Sequence, residues 1–483
     1  MTGHILAAAL GRTDAAIVAV GVLLLFVISW VFGRREKDTN DYFLGGRRIP
    51  AVIACLSFVA AEISALTIVG FPATAYSENW LYVQFFIGSA VARISVAYLF
   101  IPAFYKYNCT SIYEFLGHRF GRQTQTAGSV FFFITRLIAS GVRLYAACLG
   151  VQLIMGWTLL QSLLLFTVVS IVFIAFGGIK AVVWAGAYQA ITFIVAGLLL
   201  LVYLYQHIDG GLTEIWRTAG AENRLEFFRF RLDLTDPGTF WALSVNAFFI
   251  GLASFGTDQE MMQRLLTVET RRKSQRTMLS TILMYVAITC LYLAIGTLLF
   301  VFYRQNPSIA EPDKAKEVLS HFVAHCLPTG LKGLLLAAIV MASIDSPLSS
   351  LASSFVTDIY RPLTGSRAGE RHYLMVSRIS VVAFGLILMA IALACEPVEQ
   401  ILWFAYGIFS VTGGATLGVF LLGLLTKRRV NRANIPAMIA ATAVSLTLML
   451  LNQYKVITFP WTAIIIAGTA VSFTLAYLMG RSH

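Results

Sequence analysis

Charged side chains are scarce in this sequence. Asp, Glu, Lys and Arg supply 12% of its 483 residues, whereas apolar residues supply 58%. Soluble globular proteins carry about 25% charged residues, so this chain cannot cover a water-facing surface of its size. We therefore expect lipid to be the solvent for most of the surface.

Motifs for chemistry on covalent bonds are also lacking. The sequence contains no GxSxG, Walker or HExxH string, and its six cysteines lack the CxxC spacing of zinc sites. His321 and His325 form the one histidine pair at helical ligand spacing, but no clear third ligand accompanies them. We expect a solvated histidine pair, no disulfide framework or zinc site, and no enzyme.

Apolar residues, in contrast, form long runs. Thirteen stretches each hold enough mainly apolar residues, about 20, to span a bilayer as a helix. They lie at 15–33, 51–74, 80–104, 127–154, 158–177, 183–205, 239–257, 279–303, 331–357, 373–393, 400–424, 434–451 and 460–480. Because these runs do not alternate with period two, helices fit better than a barrel. The sequence predicts an all-α polytopic membrane protein with about 13 transmembrane helices in one domain over residues 1–483.

The net charge of +12 comes mostly from short loops at helix ends. The loops on one side carry Arg34, Arg35, Lys37, Arg47, Arg48, Lys106, Arg119, Arg122, Arg264, Arg271, Arg272, Lys273, Arg361, Arg367, Arg371 and Lys427 to Arg432. Segment 206–238 is an exception with four Arg, but long loops weigh less in this rule. An excess of Lys and Arg marks cytoplasmic loops, so we expect the amino terminus outside and the carboxyl terminus in the cytoplasm. Nucleic acid is not expected as a partner.

Two spans contain helix breakers beside polar side chains. In the second span, Glu62, Ser64 and Thr67 stand in mid-span next to a glycine and a proline. The seventh span has the same character over 251–259, where two glycines precede polar groups. Backbone without helical hydrogen bonds is tolerated in a bilayer only where it lines a cavity or an ion. Both spans are therefore predicted to be broken at a binding site.

The ninth span carries serine hydroxyls around one carboxylate, Asp345. Together with carbonyls of a facing unwound helix, these oxygens can surround a hard cation. The serines alone are better explained by bonds to their own helix or by close packing than by ion binding. An aspartate in mid-span costs about 2.5 to 3.5 kcal/mol on insertion scales, which favours a functional role for Asp345.

Arginines inside the spans follow the same reasoning with opposite sign. Arg93 and Arg143 lie deep in their spans, whereas Arg136 stands near enough to the cytoplasmic end to reach the interface. Arg143 is a candidate anchor for a buried carboxylate ligand, because its fork of five donors stays charged. The alternative is a structural pair with Glu62 or Asp345.

Six strings in order along nearly the whole chain carry a family resemblance. They are Asp41-Tyr-Phe-Leu-Gly-Gly-Arg47, Ser64-Ala-Leu-Thr-Ile-Val-Gly-Phe-Pro-Ala-Thr-Ala-Tyr76, Thr110-Ser-Ile-Tyr-Glu-Phe-Leu-Gly-His-Arg-Phe120, Gly177-Gly-Ile-Lys-Ala-Val-Val-Trp184, Gly256-Thr-Asp-Gln-Glu-Met-Met-Gln-Arg264 and Thr357-Asp-Ile-Tyr360. With them the chain resembles the sodium/solute symporter family, which includes bacterial sialic acid, proline and sugar symporters and animal glucose, monocarboxylate and vitamin cotransporters.

The resemblance implies a LeuT-type fold, alternating access and sodium coupling. Two inverted five-helix repeats would occupy 51–205 and 239–424, with an extra amino-terminal helix at 15–33 and carboxyl-terminal helices at 434–480. The family's general sodium site maps to Ala60, Ile63, Ile339, Ala342 and Ser343. The first three would act through backbone carbonyls. Many relatives have a hydroxyl where this chain has Ala342, which removes one side-chain ligand.

A second sodium site in some relatives uses an aspartate in a W-T-D-x-x-Q string. Here that string reads Trp184-Ala-Gly186-Ala-Tyr-Gln189, so the carboxylate is missing. Asp345 and Ser346 stand where those relatives coordinate the same ion with hydroxyls. We therefore predict a possible second cation site at these two residues. The rival prediction is one sodium ion per cycle, with Asp345 paired to an arginine.

For the solute, the resemblance to sialic acid symporters implies contacts from Ser64 and Thr67. By pattern, Arg143 matches their carboxylate-binding arginine, and Gln84 could add a hydrogen bond. We expect sodium-coupled import of a sialic acid or related sugar acid; the alternatives are a neutral sugar, a monocarboxylate or a vitamin. A channel, a polytopic membrane enzyme and a sensor are other classes. The expected partners are the solute, sodium ion and the bilayer, with no obligate protein partner evident.

Overall fold

The computed structural model describes residues 11–33, 36–63, 65–155, 157–233, 238–312, 314–342, 347–364, 369–395, 401–428, 430–454, 456 and 463–480. Every regular element within these ranges is helical. The α-helices are α1 Arg12–Gly33, α2 Thr39–Leu44, α3 Ala51–Glu62, α4 Ala65–Ser77, α5 Val83–Ser95, α6 Ile101–Lys106, α7 Tyr113–Arg119, α8 Arg122–Met155, α9 Leu159–Gln206, α10 Gly211–Ala221, α11 Phe240–Gly251, α12 Gln259–Leu266, α13 Arg271–Gln305, α14 Val318–His325, α15 Leu331–Ala342, α16 Leu348–Ser354, α17 Arg361–Thr364, α18 Glu370–Ala394, α19 Ile401–Leu425, α20 Asn434–Gln453 and α21 Ile464–Met479.

Short 3₁₀ and π turns join some of these helices. The 3₁₀ turns are Gly45–Arg47 and Ala315–Glu317, and the π turns are Val96–Phe100, Leu252–Gly256 and Phe355–Tyr360. Each predicted apolar stretch coincides with one or two helices. Seven helices of the described chain are long and apolar enough to cross a membrane, or up to nine when each bent pair counts as one span. The count of about 13 spans remains a prediction.

The long helix α9 contains a turn that separates two predicted spans. Gly178 has φ 49° and ψ −147°, a conformation that favours glycine because it has no Cβ. A Cβ there would also lie 2.5 Å from Glu36 Oε1 and 2.6 Å from the carbonyl oxygen of Tyr42. The boundary falls between the stretches predicted at 158–177 and 183–205.

Loops that carry basic residues meet at one end of the helix bundle, here called the basic end. The Arg119 guanidinium donates to the carbonyl of Gly423 at 3.2 Å, and Arg361 Nη2 donates to Glu370 Oε1 at 2.6 Å. The backbone N–H of Ile49 donates to the carbonyl of Thr267 at 3.2 Å. Distant loops are thereby joined on one side, as their charge pattern predicts.

Segment 206–233, which includes α10, packs over the opposite end. The backbone N–H of Trp80 donates to the Glu226 carbonyl at 3.2 Å, and Asp209 N–H donates to Gln305 Oε1 at 3.0 Å. Arg304 pairs with Glu222 at 2.7 Å. These bonds attach the segment to the beginning of the third span and to the end of α13.

Glycines bring helices of the two predicted repeats into backbone contact. A Cβ on Gly88 of α5 would lie 1.9 Å from the Ser244 carbonyl oxygen of α11. A Cβ on Gly296 of α13 would lie 2.3 Å from the Pro72 carbonyl oxygen of α4. Such close approach is how helices pack strongly in lipid, where no hydrophobic effect drives them together. The two predicted repeats are therefore interlocked.

A buried carboxyl at the basic end should make stability depend on pH. Glu36 lies between α1 and α2 with a fully buried side chain, 3.8 Å from Arg378, and in the described chain neither carboxyl oxygen has a hydrogen bond. Burial raises the pKa of Glu36 from 4.5 to about 8. The folded state then holds this proton more tightly than the unfolded state. The contribution of Glu36 to the free energy of unfolding is therefore complete below pH 4.5 and is lost as the pH rises towards about 8.

We expect Glu36→Gln to flatten this part of the pH profile, because glutamine has no proton to lose. The measurement is the melting temperature of purified protein between pH 5 and 9, compared with Glu222→Gln as a control at an exposed loop position. If the melting temperatures of the native protein and of Glu36→Gln changed with pH in parallel, Glu36 would not be the group that makes stability depend on pH.

Candidate functional site

The second span is broken, as its sequence predicts. Helix α3 ends at Glu62, Ile63 has an extended backbone at φ −89° and ψ 101°, and α4 begins at Ala65. The break precedes the glycine and proline that suggested it, because Gly70 and Pro72 both lie inside α4. The position of the break is marked by the polar residue Glu62, at which α3 ends, and not by Gly70 or Pro72.

The seventh span is broken as well. After α11, the chain forms the π turn Leu252–Gly256, leaves helical geometry at Thr257 and Asp258, and resumes as α12 with a bend of 61°. The Asp258 carboxylate accepts a hydrogen bond from the backbone N–H of Glu260 at 2.9 Å and so begins α12. The Tyr113 hydroxyl donates to the freed carbonyl of Thr257 at 2.9 Å.

The carbonyls freed at the first break lie where sodium ligands are predicted. Ala60 and Ile63 are both buried in or just after the last turn of α3, a position that leaves carbonyls without partners inside the helix. The carbonyl of Val59 accepts from the Ile63 N–H at 2.9 Å. The carbonyl of Ala61 accepts from Arg143 Nη2 at 3.3 Å. Arg143 and the predicted sodium ligands of α3 are thus brought together.

The other predicted sodium ligands lie at the end of α15. Ile339 is half-buried and Ala342, the last residue of α15, is buried. The Gln189 side chain of α9 donates to the Met341 carbonyl at 2.9 Å and fixes this turn. Helix α15 also contacts α4, which begins just after the first break. Four further candidates lie outside the described residues: Ser64, Ser343, Asp345 and Ser346.

The remaining solute candidates differ in their surroundings. Thr67 lies in the first turn of α4 and is half-buried. Gln84 is fully buried in the first turn of α5, and its amide bonds to the segment that packs over the opposite end. Its Nε2 donates to the Gly238 carbonyl at 3.0 Å, and its Oε1 accepts from the Arg229 N–H at 2.8 Å. Gln84 therefore already has backbone partners, unlike a side chain facing an open cavity.

Glu62 pairs with Arg93 at the first break. Both carboxylate oxygens accept from Arg93 Nη2, at 2.6 Å and 2.5 Å. The guanidinium lies over the rings of Phe255 and Tyr285, 4.3 Å and 4.9 Å from their centroids, and its Nε donates to Thr281 at 3.2 Å. Arg93 is thus one of the arginines that neutralise carboxylates at a break, and Glu62 is not available to pair with Arg143.

Arg136 does not extend to the membrane interface, so that prediction is wrong. It is buried and pairs with Asp258 and, at 2.7 Å, with Glu260. Glu260 also lies 3.5 Å from Arg264, whose Nη1 donates to Ser57 Oγ at 3.0 Å. Two carboxylates at the start of α12 hold Arg136 inward because a buried charge requires a counter-charge.

Sequence reasoning missed this cluster of Arg136, Asp258, Glu260 and Arg264. The available signal was the pair of acidic residues two positions apart, directly after a predicted break. The cluster connects α8 and α12, and through Ser57 also α3. The cluster therefore links the two broken spans: Glu260 of the seventh span pairs with Arg264, and Arg264 donates a hydrogen bond to Ser57 of the second span.

Arg143 stands apart from the other buried arginines. Among the described residues, no carboxylate lies within salt-bridge distance of it, whereas Arg93, Arg136 and Arg264 each have one. Its side chain is half-buried and reaches the Ala61 carbonyl at the break. A fixed positive charge thus lies beside the predicted sodium ligands of α3.

The missing carboxylate at Gly186 has a packing explanation. A Cβ on Gly186 would lie 2.6 Å from Ser57 Oγ and 3.2 Å from Ser57 Cα. An aspartate at this position would require α9 and α3 to separate. The ion ligand that the relatives' string provides is therefore excluded here by contact with α3.

The family of this chain follows from its match to a family sequence profile. The profile of the sodium:solute symporter family matches residues 42–441. The chain belongs to this family. It is a transporter rather than an enzyme, and sodium is its coupling ion.

Curated relatives agree with this assignment. The chain is 29% identical over 455 residues to the sodium/sialic acid symporter SiaT of Proteus mirabilis, covering 92% of this chain and 90% of that protein. It is 29% identical to the sodium/sialic acid symporter NanT of Aliivibrio fischeri, with 89% and 84% covered. The human sodium-coupled monocarboxylate transporter 1 is 26% identical, with 89% and 70% covered.

Solved structures confirm the all-helical fold of the LeuT type. A sodium-coupled sialic acid symporter in a substrate-bound outward-open state matches with a TM-score of 0.86 and 25% identity, over 98% of this chain and 100% of that chain. A nucleobase-cation-symport-1 family transporter matches with a TM-score of 0.51 and 14% identity, over 90% and 92% of the two chains. The second match supports the fold alone.

Removing one partner of the Glu62–Arg93 pair should destabilise the protein strongly. Glu62→Ala leaves Arg93, which is 1% exposed, buried without its counter-charge, and such a loss costs about 3 to 5 kcal/mol. We expect a clearly lower melting temperature for purified Glu62→Ala.

Two comparisons make this measurement specific. Glu269→Ala, which breaks an exposed pair with Lys273, should melt like the native protein. The double variant Glu62→Ala, Arg93→Met should recover part of the loss because the unpaired charge is removed with its partner. A single variant as stable as the native protein would show that the pair does not hold the break.

Proposed function

We propose that this symporter imports a solute bearing a carboxylate, with a sialic acid or related sugar acid favoured, and that Arg143 binds the carboxylate. The observation that carries the proposal is that no carboxylate of the described chain lies within salt-bridge distance of Arg143, whereas Arg93, Arg136 and Arg264 each have one. A half-buried guanidinium at a helix break needs a counter-charge. An anionic solute supplies it only while bound.

The charges around the break suit an anion. Glu62 would repel a carboxylate if it stood alone, but Arg93 neutralises it through one nitrogen. Arg143 can use its planar fork for two parallel hydrogen bonds to a carboxylate, a geometry that lysine lacks. Binding then places a carboxylate against a half-buried guanidinium that has none within salt-bridge distance in the described chain, which favours the occupied state.

Sodium is proposed to bind between the end of α3 and the end of α15. Its ligands would be the carbonyls of Ala60, Ile63 and Ile339, with Ala342 and Ser343 completing the site. Support comes from the contact of α15 with α4, which begins just after the break that ends α3. Carbonyls at the carboxyl end of a helix carry partial negative charge and favour a cation.

The favoured solute rests on two kinds of support. The two bacterial relatives are named as sialic acid symporters, and sialic acids carry the carboxylate that Arg143 would bind. Thr67 in the first turn of α4, together with Ser64, is proposed to bind polar groups of the sugar. Gln84 would join them only by giving up its bonds to the loop.

A short monocarboxylate is the second candidate, and the bonds of Gln84 favour it. Such a solute needs the arginine but makes few demands on hydroxyl-binding side chains. The human relative is named as a monocarboxylate transporter. The two candidates share the carboxylate and differ in their use of Gln84.

For orientation, we propose that the basic end faces the cytoplasm. The amino terminus would then lie outside and the carboxyl terminus inside. The concentration of Lys and Arg in the short loops of this end supports the proposal.

Ligand-induced stabilisation of purified protein tests the proposed solute. We expect N-acetylneuraminic acid to raise the melting temperature in sodium but not in potassium, because a ligand that binds only the folded state stabilises it. Short carboxylates should stabilise in sodium if the second candidate holds. Stabilisation by neutral sugars alone would contradict the role of Arg143.

Variants assign the effect to the arginine. Arg143→Gln should abolish stabilisation by the acid, and Arg143→Lys should weaken it because the fork geometry is lost. The control Arg231→Gln removes an exposed arginine of the loop, 75% exposed, and should keep the native response. A full response in Arg143→Gln would place the carboxylate elsewhere.

The proposed second cation site at Asp345 and Ser346 has its own test. If two sodium ions drive each cycle, uptake by the native protein in liposomes should depend on sodium with a Hill coefficient above one, and Asp345→Asn should reduce it to one. An unchanged coefficient in Asp345→Asn would contradict the two-ion prediction.

A further inference from the structure

The amino-terminal helix α1 lies outside the predicted repeats, yet it contains a buried carboxylate. Most of α1 is exposed on the outside of the bundle, with Leu23 61% and Trp30 62% exposed, as expected for a lipid-facing helix. Asp14 is 2% exposed. A carboxylate buried in this way requires hydrogen-bond partners.

The partners of Asp14 are backbone groups at the start of α15. Asp14 Oδ1 accepts from the N–H of Gly330 at 2.8 Å and from the N–H of Gly333 at 2.9 Å. The first turn of a helix has N–H groups without partners inside the helix, and its positive end attracts a carboxylate. Asp14 therefore caps α15 from a different helix.

Close packing holds α1 and α15 in register beyond this cap. A Cβ on Gly333 would lie 2.8 Å from Asp14 Cα, and a Cβ on Gly21 would lie 3.4 Å from Ala337 Cβ. The Tyr188 hydroxyl of α9 donates to the Gly21 carbonyl at 3.4 Å. Helix α1 thus lies against both α9 and α15.

The two ends of α15 are held by different helices. Asp14 binds its first turn, and Gln189 of α9 binds the Met341 carbonyl in its last turn. The last turn also carries Ile339 and Ala342. A helix of 12 residues is about 18 Å long, so Asp14 cannot touch an ion at the far end and can act only through α15.

We propose that Asp14 is a positioning residue for sodium binding: it fixes the start of α15, and through this rigid helix the position of the ion ligands in its last turn. Binding constellations need their ligands held within about 0.5 Å, so a loosened or shifted α15 lowers sodium affinity. The proposal rests on the sodium site proposed above and gives α1 a part in ion coupling.

The test is the sodium dependence of solute uptake by purified full-length protein in liposomes. The solutes are N-acetylneuraminic acid and, in a parallel assay, lactate as a short monocarboxylate. Asp14→Ala should raise the half-saturating sodium concentration by up to about fivefold, the limit reached when the whole free energy of the helix cap acts on sodium binding. The maximal rate at saturating sodium should stay near native, which separates weaker ion binding from a general loss of folded protein.

Matched variants identify the cause. Asp14→Asn keeps the oxygen acceptor without the charge and should lie between the native protein and Asp14→Ala. The control is Asp38→Ala, which removes another aspartate cap, the bond from the Asp41 N–H at 2.7 Å at the start of α2. Because α2 carries no sodium ligand, this variant should keep the native sodium dependence.

Gly333→Ala provides a second route if Asp14→Ala does not fold. It retains Asp14 but forces α1 and α15 apart, and should also raise the half-saturating sodium concentration. The proposal is overturned if a folded Asp14→Ala, or in its absence Gly333→Ala, shows the same sodium dependence as the native protein. Uptake by the native protein that does not depend on sodium would instead refute the underlying sodium site.

Discussion

Ion pairs between buried side chains organise the breaks in the second and seventh spans of this transporter. In a low-dielectric interior an unpaired guanidinium is costly, and removing its partner costs more than the pair itself contributes. Arg93 therefore holds Glu62 at the end of α3, and Arg136 holds Asp258 and Glu260 at the start of α12. These pairs lie at the breaks of the second and seventh spans, so the charges stabilise both breaks. Among the described residues no carboxylate lies within salt-bridge distance of Arg143, and under the proposed function a solute carboxylate would pair with it.

The helix breaks present a second unsatisfied group, the backbone carbonyl. Lipid offers no hydrogen bonds, so freed carbonyls must find partners within the protein or its cargo. Thr257 obtains the Tyr113 hydroxyl, and Ala61 obtains Arg143. A sodium ion is a fitting partner for other carbonyls at the end of α3 because several can surround it at once. Arginine and ion would thus be held by neighbouring atoms of one helix turn, which gives a short physical path for coupling ion binding to solute binding.

The sequence determines the helices because lipid imposes a simple rule on length and polarity, and every predicted apolar stretch coincides with helix. It also reveals that the second span is broken, although glycine and proline mislead about the position and the break follows Glu62. Pairing between distant side chains is another matter. The choice of Arg93 for Glu62, the inward position of Arg136 and the contact of Gly186 with Ser57 depend on how helices pack. Periodicity within one helix contains no information about these contacts.

The glycine at position 186 also affects how many sodium ions can drive each cycle, and with it the free energy available for solute accumulation. One sodium ion entering down a tenfold gradient provides about 1.4 kcal/mol, and about 2.3 kcal/mol more for each 100 mV. A monovalent anion entering with it cancels the voltage contribution, which leaves roughly tenfold accumulation. A second ion would restore the voltage contribution, and the second site that some relatives have holds its ion with a carboxylate. Since α9 packs on Ser57 at Gly186 and has no room for one, a carboxylate for that ion must come from another helix. Under the proposed second cation site Asp345 would supply that carboxylate, and the accumulation that the transporter reaches would then depend on whether its side chain binds an ion or an arginine.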